Sequence, residues 1–250
     1  MMLAARRFLG IGAFILSTGC IALVGCTRIG GRTTSEPEVA RPEDVLTFST
    51  LYRTNCSACH GADGRNGAAI ALANPVYLAV AGEDHLRDVI TKGVPHALMP
   101  PFARSSGGML TDKQVSALAE GMLREWGTPN LLAAQNAPPY VATLQGDASR
   151  GQQAFTSFCA RCHGEAGEGN MSDRNENSVR IGSIVDPSYL ALISDQYLRS
   201  NIIAGRPDEG MPDWRTDGAQ PMTDQQITDI VTWLAAKRTA NPGQPYRSHP

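Results

Sequence analysis

Two copies of one pentapeptide, Cys56-Ser57-Ala58-Cys59-His60 and Cys159-Ala160-Arg161-Cys162-His163, constrain this 250-residue chain more than any other feature. Two thiols separated by two residues lie on one side of a helical turn. There they can add across the two vinyl groups of a haem, and the adjacent imidazole then meets the iron. A thioredoxin-like thiol pair, half of a zinc site and an intramotif disulfide are the other uses of this spacing. Duplication within one chain, together with the features below, favours two covalently held haem c groups over all three.

The duplication extends well beyond the cysteines. At an offset of 112 positions Pro75 pairs with Pro187, Tyr77-Leu78-Ala79 with Tyr189-Leu190-Ala191, and Leu86-Arg87 with Leu198-Arg199. The register continues without a gap through Ile90 and Ile202, Gly93 and Gly205, Pro95 and Pro207, and Thr111-Asp112 and Thr223-Asp224. The two pentapeptides are offset by only 103, so the second copy carries nine extra residues between His163 and Pro187. That stretch, Gly164 to Ile184, is polar and Gly-rich and reads as a longer surface loop.

The register also selects a second ligand for each iron. A low-spin electron-transfer haem takes a sixth ligand opposite the histidine, and a neutral thioether favours the ferrous state. Met99-Pro100 and Met211-Pro212 align, and the proline after each sulfur bends the chain so that the side chain projects from a loop. Met109, Met122, Met171 and Met222 have no aligned partner and read as core or surface filler. His96 is the rival ligand in the first copy, His85 looks like an ordinary amphipathic position, and His249 lies in a Pro-rich tail.

Ahead of the repeats, Arg6 and Arg7 precede an apolar run from Phe8 to Val24, the arrangement of a secretory signal. Within it Leu23-Val24-Gly25-Cys26 resembles a bacterial lipobox, which predicts lipidation of Cys26; Ser17-Thr18-Gly19-Cys20 fits less well because it opens on a polar residue. An ordinary signal peptide and an uncleaved anchor are the alternatives, and all three place the repeats outside the cytoplasm. No later stretch holds 18 consecutive apolar residues, so no mid-chain span is expected. Cleavage before Cys26 leaves 20 basic against 24 acidic residues with no basic stripe, which excludes nucleic acid as a partner.

Each repeat resembles a class I c-type cytochrome domain, with the pentapeptide near its start, a Met-Pro loop later and a helix at its end. The pattern Pro-x-Tyr-Leu with a later Gly-x-Pro-x-x-x-Met-Pro is similar to cytochrome lipoproteins of bacterial respiratory chains. The resemblance implies an all-α fold with two tandem haem domains. It implies thioether attachment through Cys56, Cys59, Cys159 and Cys162, proximal ligands His60 and His163, and distal ligands Met99 and Met211. The organisation expected is a signal over 1–25, a lipid-anchored polar tether over 26–43, a first domain over 44–129, a linker over 130–144, a second domain over 145–240 and a tail over 241–250. The tether from Thr27 to Pro42 reaches roughly 20 to 25 Å as a flexible chain.

Helix signals agree with this reading. Thr111 and Thr223 are N-cap candidates with Asp in the first turn. Apolar residues follow at helical spacing, Val115, Leu118, Ala119, Met122 and Leu123 in one copy and Ile227, Ile230, Val231 and Leu234 in the other. Another helix is expected after each Tyr-Leu-Ala, and no substantial sheet. The family resemblance also implies a small-against-aromatic pair where the first and last helices cross, Gly151 with Trp233 in the second copy, and the first copy exchanges the sizes as Phe48 and Gly121. Ala137-Pro138-Pro139-Tyr140 marks a short extended linker that keeps the copies close.

With both axial positions filled, the chain is expected to carry electrons rather than transform a substrate. Its expected partners are membrane-bound redox complexes, such as a quinol-oxidising complex, a terminal oxidase or a dehydrogenase, with the membrane engaged through the N-terminal lipid. A haem subunit of a larger oxidoreductase complex and a dihaem peroxidase-like enzyme are the alternatives. Residues 143–240 hold nine basic and 13 acidic residues against seven and eight over 44–129, so an acidic docking face is expected beside Met211, at Asp208, Glu209 and Asp213.

Overall fold

The N-cap chemistry of the sequence shapes the helices of the computed structural model, which describes residues 41–95, 97–170, 181–215 and 220–239. The signal over 1–25, Cys26, the tether up to Ala40, His96, Met171, His249 and the tail lie outside the described residues. Thr111 and Thr223 each open a helix. The Gln114 side chain accepts from the Thr111 amide at 3.0 Å while Thr111 Oγ1 accepts from the Gln114 amide, and Thr223 with Gln226 repeats this reciprocal capping box. Asp112 and Asp224 mark the two first turns, and Gln114 and Gln226, two residues further on, complete the boxes.

Four helices make the first copy: α1 (Phe48–Asn55), α2 (Ser57–His60), α3 (Pro75–Lys92) and α4 (Asp112–Trp126). The second copy has α5 (Ala148–Phe158), α6 (Ala160–His163), α7 (Pro187–Leu192), α8 (Asp195–Ala204) and α9 (Asp224–Ala235). The Tyr-Leu-Ala segments prove to be helical themselves, because Asn74 and Asp186 cap them and Pro75 and Pro187 occupy the first turn. The helix expected after each follows a break. In α3 the break is Gly82, with φ 73° and ψ 166°, and in the second copy it is the two residues between α7 and α8. Among the described residues no strand forms, only isolated bridges such as Ala103 with Leu110 and Arg206 with Met211.

In each copy the first helix packs against the last. The exchanged pair is present as expected: a Cβ on Gly121 would enter the Phe48 side chain, and one on Gly151 would collide with the Asp229 carbonyl and Trp233. Tyr52 and Trp126 extend the first contact, their rings edge to face at 4.9 Å, and Phe155 meets Trp233 at 4.5 Å in the second. The polar ties differ. Gln114 donates to the carbonyls of Pro42 at 2.8 Å and Val45 at 3.2 Å. In the second copy the buried Asp229 carboxylate accepts from the Asp147 amide at 2.7 Å, from Arg150 at 2.8 and 3.0 Å and from Gln225 at 2.9 Å.

The linker is more than a spacer. Arg199, 2% exposed, donates to the Pro139 carbonyl at 2.7 Å and to the Tyr140 carbonyl at 3.1 Å, while also bonding Thr228 Oγ1 at 3.1 Å and pairing with Asp224. The Tyr140 ring lies 4.0 Å from that of His85, so the position that looked ordinary in sequence holds the linker against the first copy.

Candidate haem-attachment turns

The two pentapeptides fold alike. Cys56 ends α1 and begins α2 at φ −118°, ψ −33°, and Cys159 joins α5 to α6 at φ −119°, ψ −32°. The amide of His60 donates to the Cys56 carbonyl at 3.0 Å, as His163 does to Cys159 at 3.0 Å, so the first cysteine and the histidine share one helical turn. Gly61 and Gly164 follow at φ 83° and φ 78°, a left-handed exit that favours glycine. In the first copy the Tyr52 hydroxyl closes this exit by donating to the Gly61 carbonyl at 2.9 Å; Phe155, its counterpart, has no hydroxyl to do so.

These residues suit a haem. His60 Nδ1 lies 2.8 Å from the Ile70 carbonyl, which can only accept, so Nδ1 carries the proton and Nε2 keeps its lone pair for iron. Burial pushes the titration of His60 and His163 below the usual imidazole range, with the Ile70 bond opposing it at His60, and neutral imidazole is the ligating form. Burial likewise pushes the Cys56 and Cys159 thiols up to about 12. The four sulfurs form no disulfide, and among the described residues no three His, Cys, Asp or Glu gather as a metal site.

His163 differs from His60. Its Nδ1 is buried with no hydrogen-bond partner among the described residues. The longer loop is the physical context: the Asn170 amide takes the Ile181 carbonyl at 3.0 Å, and the Gly169 amide bonds the His163 carbonyl at 2.8 Å.

Met99 and Met211 are both half-buried in loops closed by their own backbones. Val94 donates to the Met99 carbonyl at 3.0 Å, whereas Arg206 and Met211 exchange two bonds, of 2.8 and 3.0 Å. Met122 and Met222 are buried in the core and Met109 is 80% exposed, the filler roles expected of them. The acidic face needs correction. Arg215 grips Asp213 at 2.5 to 3.1 Å and Arg206 pairs with Glu209 at 2.5 Å, which leaves only Asp208 of the three acids without an ion pair among the described residues. Much of the second copy's acidity is answered locally, at Asp224, Asp229 and Asp195 as well.

Asn74, Arg199 and Asp229 escaped the sequence reading as residues that matter to the site's framework. Arg199 had one signal, a cation set beside Leu198, Ile202 and Ile203 on an otherwise apolar face. The fold and the paired turns together define a c-type cytochrome with two haem-bearing copies. Residues 43–120 and 146–234 match the family cytochrome C oxidase, cbb3-type, subunit III, and the chain belongs to that family. It is 31% identical over 138 residues to the cbb3-type cytochrome c oxidase subunit CcoP of Rubrivivax gelatinosus, covering 54% of this chain and 39% of that protein. It is 28% identical over 135 residues to the corresponding subunit FixP of Sinorhizobium medicae, covering 50% and 41%. The CcoP subunit of Rhodobacter capsulatus aligns over 214 residues at 24% identity, 78% of this chain and 65% of that one. The chain thus spans about two-fifths of the first relatives it matches. Family membership makes it an all-α dihaem cytochrome that holds covalent haem c and transfers electrons.

Proposed function

We propose that the chain relays electrons between membrane-bound redox partners on the periplasmic side of the bacterial inner membrane, held there by lipid on Cys26. One haem would be held through Cys56 and Cys59, with His60 and Met99 as its iron ligands, in a domain over 44–129. The other would be held by Cys159, Cys162, His163 and Met211, in a domain over 145–240 joined by the linker over 130–144. Bound haem supplies one-electron redox chemistry. The chain's own residues supply attachment, the imidazole orientation and the Met-Pro loops. The Nδ1-to-carbonyl bond of His60 carries this reading best, because it presents Nε2 in the form that ligates iron.

A pyridine haemochrome assay on the holoprotein is expected to give two haems per chain, and the native protein is expected to resist carbon monoxide. Met99→Ala and Met211→Ala each open one iron to it. One haem per chain, or carbon monoxide binding without mutation, overturns the reading. Lipid-labelling of the wild-type chain and its absence in Cys26→Ser tests the anchor. A second reading, permanent membership of an oxidase complex, is favoured by the cbb3 oxidase subunits among the relatives; co-purification of an oxidase in mild detergent separates it from a free carrier.

A further inference from the structure

One side chain of the first copy reaches the root of the loop that carries Met211. Asn74 is 6% exposed and all its hydrogen-bonding capacity toward the backbone is engaged. Its Oδ1 accepts from the amides of Val76 at 2.9 Å and Tyr77 at 3.2 Å, capping α3. Its Nδ2 donates across the copies, to the carbonyls of Ala204 at 3.0 Å and Gly205 at 3.1 Å.

Those two carbonyls stand where α8 ends and the Met211 loop begins. Gly205 holds φ 65°, and a Cβ there would collide with the backbone of Pro212 and Asp213, so the residue Asn74 grips lies directly against the chain leaving Met211. Arg206, the next residue, forms both backbone bonds to Met211. A shift of the Ala204–Gly205 peptide is therefore carried to the methionine through close-packed backbone rather than through flexible side chains. At the same register position of the second copy stands Asp186, which caps Ser188 and Tyr189 but has no amide protons to donate.

We propose that Asn74 is a positioning residue for the second haem: by clamping the Ala204 and Gly205 carbonyls from the first copy, it sets the loop that presents Met211 and so how firmly that sulfur holds iron. The inference rests on Met211 being an axial ligand, as proposed above. A coupling of this kind makes the ligation of one haem depend on how the copies are docked, which the two copies separately do not provide.

Asn74→Asp is the informative variant because it keeps the cap on Val76 and Tyr77, removes both donated bonds and sets a carboxylate against two carbonyls. The readouts on full-length holoprotein are the ferrous methionine methyl NMR signals, assigned by Met99→Ala and Met211→Ala, and displacement of methionine from ferric haem by imidazole. Two methionine signals in the wild type establish the ligation separately from the coupling. In Asn74→Asp the Met211 signal is expected to shift while the Met99 signal stays, and imidazole is expected to displace Met211 about tenfold more readily, the loss of roughly one to two hydrogen bonds. Asn74→Ser also retains a capping oxygen but is too short to reach across, and it serves if the aspartate variant does not fold. Unchanged Met211 signal and imidazole affinity, or a larger change at Met99 than at Met211, overturns the proposal.

Discussion

Arg87 and Arg199 occupy the same position in the two copies and bond the same partner position, Ser116 in one and Thr228 in the other. Yet the Arg87 side chain is 35% exposed and shares surface carboxylates, Glu83 and Glu120, whereas Arg199 is sealed beneath the linker at 2%. The difference comes from Pro139 and Tyr140, whose carbonyls lie over Arg199 and replace the water that Arg87 keeps. One residue type in one register thus has two physical roles. In the first copy it decorates a helix, and in the second it fastens the connection between copies. The same divergence recurs at the helix crossing, where the first copy ties its ends with a neutral glutamine and the second with an ionised aspartate.

The largest expected effect separates the two arginines. Arg199→Ala strips four acceptors of a buried cation and leaves Asp224 uncompensated, which is expected to destabilise the fold by about 3 to 5 kcal/mol, while Arg87→Ala changes it by less than about 1 kcal/mol. Urea unfolding of both variants checks this, and equal losses would erase the distinction. Phe48→Ala is expected to approach the same size through the cavity it leaves, about 3 kcal/mol.

Next in size are the glycines of the exchanged pair. Gly151→Ala pushes a methyl into the Asp229 backbone, and Gly121→Ala pushes one into a ring that has some freedom to turn. About 1 to 3 kcal/mol is expected for each, the larger at Gly151. Thermal melts giving the reverse order would mean that the α1–α4 crossing is the more rigid.

Acid sensitivity provides a finer test. Burial raises the Asp229 carboxyl, but the bonds from Arg150, the Asp147 amide and Gln225 outweigh it and hold the carboxyl below the usual range. A lowered native value contributes stability above the unfolded aspartate's titration, near pH 3.9, and that contribution disappears as pH falls through the native value. The α5–α9 crossing is expected to loosen in acid before α1–α4, as followed by amide exchange. Asp229→Asn is expected to destabilise by about 1 to 2 kcal/mol near neutral pH and to flatten the acid dependence.

The smallest expected effect concerns His60 and His163, given the ligation proposed above. Donation from His60 Nδ1 makes that ligand more basic and favours ferric iron, so the first haem is expected to have the lower reduction potential. His163, with no such partner among the described residues, leaves the second haem higher. Potentiometric titration, with each wave assigned through the Met99 and Met211 variants, checks the order; the opposite order would show that another influence governs the potentials.

Local chemistry was legible in the chain. The paired turns and the caps at Thr111 and Thr223 depend on residues whose neighbours follow from helical geometry, while the meeting of Phe48 with Gly121 was implied by the family resemblance carried through the repeat register. The burial of Arg199, the cross-copy reach of Asn74 and the ionic knot at Asp229 were not. The neighbourhoods of Asn74 and Asp229 are ordinary for surface residues, the apolar neighbours of Arg199 were its one signal, and Asp186, the counterpart of Asn74, remains exposed at its own helix start.

The attachment chemistry, the duplication and the all-α character are properties of the sequence itself, because a helical turn brings residues four apart together whatever surrounds it. Tertiary structure decided which charges matter. It paired Asp213 and Glu209 with arginines and left Asp208 without an ion pair among the described residues, buried one of two equivalent arginines, and set an asparagine of one copy against carbonyls of the other. The physical reason is that the energy of a polar group depends on the water it loses and the partners it gains, and both are known only once distant segments have met.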